Sequence, residues 1–77
     1  MPTVVIEGYK CRFYSSDVAE PPHVHVLRAG HVAKVWLSPV RVEHNYGYSR
    51  DELSRILRLL EQYQSRLLEE WNGYFGR

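Results

Sequence analysis

The C-terminal third of this chain decides what the rest must be. Leu53, Ile56, Leu57, Leu60, Tyr63, Leu67, Trp71 and Tyr74 recur at three- and four-residue spacing, opposite Arg55, Arg58, Glu61, Arg66, Glu69 and Glu70. That is a single apolar stripe on a helix, and such a stripe is stable only when another element covers it. Ser49-Arg50-Asp51-Glu52 opens the helix as a capping box, in which the Ser49 hydroxyl takes the Glu52 amide and Glu52 reaches back. Tyr48 and Leu53 are placed for the accompanying hydrophobic staple. No breaker intervenes before Gly73, so the spacing predicts one long helix over about 49–73, roughly six turns. Gly73 or Gly76 ends it.

The covering element must come from upstream, where the pattern is that of strands. Thr3-Val4-Val5-Ile6 is β-branched throughout. After Glu7-Gly8, the residues Tyr9, Cys11 and Phe13 alternate with Lys10, Arg12 and Tyr14. A polar loop ends stiffly at Pro21-Pro22, because neither proline donates to a ladder and Pro22 holds Pro21 extended. His23 to Arg28 alternates again, with Val24 and Val26 on one face and His23 and His25 on the other. Ala29-Gly30 turns the chain into 31–37, where Ala33, Val35 and Leu37 oppose Val32, Lys34 and Trp36. Ser38-Pro39 interrupts, and Val40 to Glu43 is a short edge strand; His44 to Tyr48 follows as a loop. The expected class is α+β: an antiparallel sheet of four or five strands within 3–43, packed on one long C-terminal amphipathic helix. Residues 1–77 are expected to form a single domain.

Charge excludes more than it suggests. Ten Lys plus Arg against nine Asp plus Glu leave a net charge of +1, so only a local patch can attract nucleic acid or an anionic surface. One cysteine, Cys11, is too few for an internal disulfide or a multi-cysteine zinc site, and suits a reducing compartment. The longest apolar run near the start, Thr3 to Ile6, is far short of a signal peptide or a membrane span. A cytoplasmic location without membrane contact is the expectation. Aromatic residues make up 13% of the chain, which helps a core that buries only roughly 60% of the unfolded surface at this size.

By strand parity, the sheet face turned away from the helix carries Lys10, Arg12, Tyr14, His23, His25, Lys34 and Trp36, with Arg41 beside them. Two readings of that face bring chemistry. In the first, His23 and His25 are a general acid–base pair that cleaves RNA, because imidazole titrates near neutral pH. Arg12, Lys34 or Arg41 would steady phosphate charge, and Tyr14 and Trp36 would stack on unpaired bases. In the second, the His-x-His spacing sets the two Cβ atoms about 6–7 Å apart on one face, within reach of one divalent zinc, nickel or iron ion. Glu20, His31, His44 and Glu43 are the further donors in view. No other cofactor is expected. The plainer alternative is two hydrogen-bonded histidines on a half-exposed strand, with Trp36 and Tyr14 docking a protein. Cys11 falls on the core side, where thiols are inert.

Met1-Pro2, the hairpin around Gly8, Glu20-Pro21-Pro22-His23-Val24-His25-Val26, Ala33-Lys34-Val35-Trp36-Leu37-x-Pro39-Val40, Asn45-Tyr46-Gly47 and Trp71-Asn72 recur together in one pattern. It resembles the small bacterial domain-of-unknown-function family numbered four-one-six-zero. Pro21, Pro22, His23, His25, Lys34, Trp36, Leu37 and Pro39 fall on its signature positions. The resemblance implies a setting like that of toxin–antitoxin modules, encoded beside another small protein, and assigns no catalytic residue. The expectation is then a toxin-like component of such a pair, acting on RNA through the open face and held by a cognate small protein, with oligomers open to it. The alternative is a non-catalytic, antitoxin-like binding subunit that docks through Trp36 and Tyr14.

Overall fold

The computed structural model describes residues 2–76; Met1, half of the Met1-Pro2 pair, lies outside the described residues. Five strands follow one another across a single antiparallel sheet: β1 Thr3–Ile6, β2 Tyr9–Arg12, β3 His23–Arg28, β4 His31–Leu37 and β5 Val40–Tyr46. Glu7-Gly8 and Ala29-Gly30 are two-residue hairpin turns whose four φ angles run from 49° to 88°. Positive φ at both positions matches the twist of the flanking strands, and glycine at the second takes it without steric cost. A 3-10 turn over Ser15–Ala19 fills the link from β2 to β3.

β5 continues to Tyr46, where alternation ends it at Glu43. Lys34 pairs with His44 but Val35 pairs with Val42, so Glu43 is the extra residue of a β-bulge. The bulge resets the in-and-out pattern at Glu43 and hides the rest of the strand from a period-two reading.

Two helices, α1 Arg50–Gln62 and α2 Gln64–Phe75, stand where one was expected. Tyr63, at φ −103° and ψ 14°, is the single residue between them. The hydrogen-bond ladder crosses the break, from Tyr63 N–H to Leu59 O and from Leu67 N–H to Tyr63 O. Gln64 Nε2 donates to Leu37 O at 2.6 Å, tying the break to the end of β4. Across it, Ile56 and Leu60 of α1 and Leu67 and Trp71 of α2 all bury themselves, none more than 2% exposed.

The start of α1 is capped as the sequence indicates, with Ser49 Oγ accepting the Glu52 amide at 3.1 Å. The Glu52 carboxylate has a different partner from the one expected: it accepts from the Tyr9 hydroxyl at 2.9 Å and fastens the helix to β2. Gly76, at φ 72°, ends α2, so Gly73 lies within it. Phe75 packs on Trp71 with ring centres 4.3 Å apart and extends the apolar stripe, while Tyr74 is partly exposed.

On the covered face, parity holds throughout: Tyr9, Cys11, Phe13, Val24, Val26, Ala33, Val35 and Leu37 are buried. Burial pushes the Cys11 thiol up to about 12, which removes it as a nucleophile. Tyr48 joins this core from the segment after β5, its hydroxyl donating to Val26 O at 2.9 Å. The Asn45 side chain holds the Tyr48 backbone at both N–H and C=O. Among the described residues, no helix is long and apolar enough to cross a membrane.

Candidate functional site

The 3-10 turn folds over the outer face of the sheet at β3 and brings in a residue that the spacing of the strands does not announce. Asp17, 7% exposed, sits between the two histidines. Its Oδ2 accepts from the Tyr14 backbone N–H at 2.8 Å and from His25 Nε2 at 3.2 Å. Its Oδ1 lies 3.2 Å from His23 Nε2, yet the two are misaligned and His23 Nε2 has no hydrogen-bond partner. The other ring nitrogen of His23 donates to Pro21 O at 2.9 Å; a carbonyl only accepts, so Nδ1 carries the proton. One donor atom from each of Asp17, His23 and His25 falls within 4.8 Å of the others.

The two histidines differ sharply. His25 is a fifth exposed and meets Tyr14 edge to face, ring centres 4.6 Å apart. His23 was expected on the open face and is instead wholly buried. It begins β3 at the end of the sheet, where Trp36 and Trp71 both reach its ring, at 5.4 Å and 5.2 Å. The loop carrying Asp17 closes the remaining side.

Electrostatics follow the same division. Burial works to raise the Asp17 carboxyl, but the Tyr14 amide and the two imidazoles outweigh it and hold the group below its ordinary value. Burial lowers His25; nearby His23 and Lys34 add to that, and Asp17 only partly offsets it. Glu20 is held low chiefly by its hydrogen bond from Lys34, Nζ to Oε1, 2.6 Å.

Cross-strand register sets the neighbours of His25. Arg12 stands opposite it on β2 and Lys34 on β4, with His44 beyond Lys34 on β5. One step along, His23, Trp36 and Arg41 form a second row. Lys34 lies over the Trp36 ring at 5.1 Å, and the bulge residue Glu43 accepts from Trp36 Nε1 at 3.0 Å. Beside this face, Lys10, Arg12, Arg28 and His31 line an open groove of about 570 Å³ with Tyr14, Leu27 and Val32. Among the described residues no carboxylate lines it, and Arg12 Nε is buried there without a partner.

A family described as "Domain of unknown function (DUF4160)" matches residues 8–72. The chain belongs to that family. No curated protein and no solved structure matches it. The DUF4160 region takes in the whole Asp17–His23–His25 centre and most of both helices, and leaves β1 outside.

Arg12, Tyr14, His25 and Lys34 thus come together as the strand pattern indicates, with Trp36 and Arg41 in the adjoining row. None of the further donors in view joins the two histidines: Glu20 is taken by Lys34, Glu43 by Trp36 and His44, and His31 packs on Tyr48. Asp17 takes their place. Nothing in periodicity marks it, because its position depends on how a non-repeating loop folds back.

Proposed function

We propose that this chain is the RNA-acting, toxin-like member of a toxin–antitoxin-like pair, with His25 as its acid–base group. The observation that carries this reading is the Asp17–His25 hydrogen bond, 3.2 Å, set between Arg12 and Lys34. A buried carboxylate that holds one ring N–H orients an imidazole and stabilises the imidazolium it becomes. The opposite nitrogen, Nδ1, is then the base. It takes the proton of an RNA 2′-hydroxyl, the 2′-oxygen attacks the adjacent phosphorus, and the 5′-oxygen leaves with a proton from water. Arg12 and Lys34 face the phosphate charge, and Tyr14 and Trp36 offer rings to unpaired bases. The groove of Lys10, Arg12, Arg28 and His31 accommodates flanking phosphates. His23 has no exposed atom to offer a substrate, so it acts as a positioning residue behind Asp17.

Induced expression of wild type and His25→Ala, with RNA cleavage measured on the purified proteins, tests this. The expected result is growth arrest relieved by a cognate small protein, and cleavage lowered about 100-fold or more by the substitution. Cleavage and toxicity untouched by His25→Ala would sink the reading. Silent histidine variants, with a partner complex weakened by Trp36→Ala, would identify a binding subunit instead. A second reading, a divalent metal held at His23 and His25, is favoured by one observation, the partnerless buried Nε2 of His23.

A further inference from the structure

We propose that Asp17 completes a three-ligand centre with His23 and His25 for a d-block divalent cation, Zn²⁺ or one like it. The inference rests on the metal reading of the two histidines and adds the ligand and the chemical class.

His23 carries the argument. Its Nδ1 donates to Pro21 O, so whenever the ring is neutral its Nε2 is a bare lone pair. That lone pair is wholly buried, lacks a hydrogen-bond partner and stands 3.2 Å from a carboxylate oxygen. In that form lone pair faces carboxylate, which is repulsive, and a cation between them makes both contacts favourable. A ligating histidine characteristically donates its other N–H to a backbone carbonyl, which fixes the tautomer.

Distances agree. Neighbouring ligands on tetrahedral Zn²⁺, with bonds of about 2.0–2.2 Å, lie about 3.4 Å apart. Asp17 Oδ1 lies 3.2 Å from His23 Nε2 and 3.5 Å from His25 Nε2, and the three donor atoms together lie within 4.8 Å of one another, wider than a closed site. His25, the partly exposed member, is the one with room to close in. Its Nε2 proton leaves when the ion binds there. Two imidazoles and one carboxylate suit Zn²⁺, Co²⁺, Ni²⁺ or Fe²⁺, whereas Mg²⁺ and Ca²⁺ take oxygen donors. Three protein ligands leave a position for water or a substrate oxygen, beside Arg12 and Lys34. The ion also pins the 3-10 turn to β3, so it stabilises the folded chain.

Metal-free full chain is titrated with Co²⁺, followed by visible absorbance and by competition with Zn²⁺, for wild type, His23→Gln and Asp17→Asn. Circular dichroism checks that each variant is folded. The expected result is one ion per chain, a melting temperature raised by Zn²⁺, and affinity lowered about 100-fold by His23→Gln and at least tenfold by Asp17→Asn. Folded wild type that takes no ion at stoichiometric Zn²⁺ overturns the metal reading and this inference together. Tight binding that Asp17→Asn leaves unchanged overturns the three-ligand centre alone. Should Asp17→Asn fail to fold, X-ray absorption at the zinc edge of wild type decides: two imidazoles with a protein carboxylate support the centre, and two imidazoles with water only overturn it.

Discussion

Residues one position apart on β3 meet opposite surroundings. Val24 and Val26 lie in the core with Ile56, Leu60, Leu67 and Trp71, almost without exposure. His25, between them in sequence, meets Asp17, Tyr14, Arg12 and Lys34 on the outer face. The covered face gains its stability from area, about 25 cal/mol for each Å² of apolar surface removed from water. The outer face carries part-exposed charge pairs such as Lys34–Glu20, which water screens and which add little to stability. What holds the fold and what is available for chemistry are therefore separated by the pleat of one sheet. His23 breaks the division: parity assigns it outward, and the loop and two tryptophans bury it.

The strongest way to test that division is to truncate the same residue type on each face. Trp71→Ala should cost about 3–5 kcal/mol in denaturant unfolding, most of what a chain this small has to lose. Trp36→Ala should cost about 1 kcal/mol, since the half-buried ring gives up one hydrogen bond to Glu43 and a contact with Lys34. Equal losses would mean that the outer face is structural after all.

The histidines sharpen the contrast at smaller scale. In metal-free protein His23→Ala should cost about 2–3 kcal/mol, because it empties a buried site and removes the hydrogen bond to Pro21 O. His25→Ala should cost less than about 1 kcal/mol in the same unfolding experiment, while lowering the proposed RNA cleavage about 100-fold or more. The reverse order of stability would put the supporting histidine at 25.

Two smaller effects concern protons. Asp17 has a folded pKa below its ordinary value, so the stability it contributes is present above the unfolded carboxyl pKa and lost as pH falls through the folded one. His25 is also lowered, so the folded state resists its protonation, and stability declines as pH drops from above 6.5 through its folded value. Both act in one direction, towards loss on acidification. The measurement is denaturant midpoint against pH for metal-free wild type and His25→Gln. The wild type should lose more than the variant between pH 7 and 5. Cys11, pushed up to about 12, should resist iodoacetamide at pH 8 until the chain unfolds.

Much of this was legible in the chain. Binary patterning assigned every buried residue of β2, β3 and β4 on the covered face, since a side chain in a strand has only two directions to take. The same reasoning placed Arg12, His25 and Lys34 in one neighbourhood. It failed where periodicity stops: at the bulge residue Glu43, at Tyr63 between the helices, and at Tyr48, whose burial depends on Asn45 turning the chain inward. Asp17 was out of reach for the same reason, being in a short 3-10 turn with no period.

By itself, then, the order of residues determined an antiparallel sheet, an amphipathic helical cover and the identity of the outward basic and aromatic groups. Those follow from local geometry: the two-residue repeat of a strand and the 3.6-residue repeat of a helix act on neighbours in sequence. Only the tertiary structure decided that His23 is buried, that His25 answers to a carboxylate eight residues upstream, and that the three groups share one centre. That centre forms where a loop closes over the end of a sheet, and the energy that places a loop comes from contacts that its own sequence does not contain.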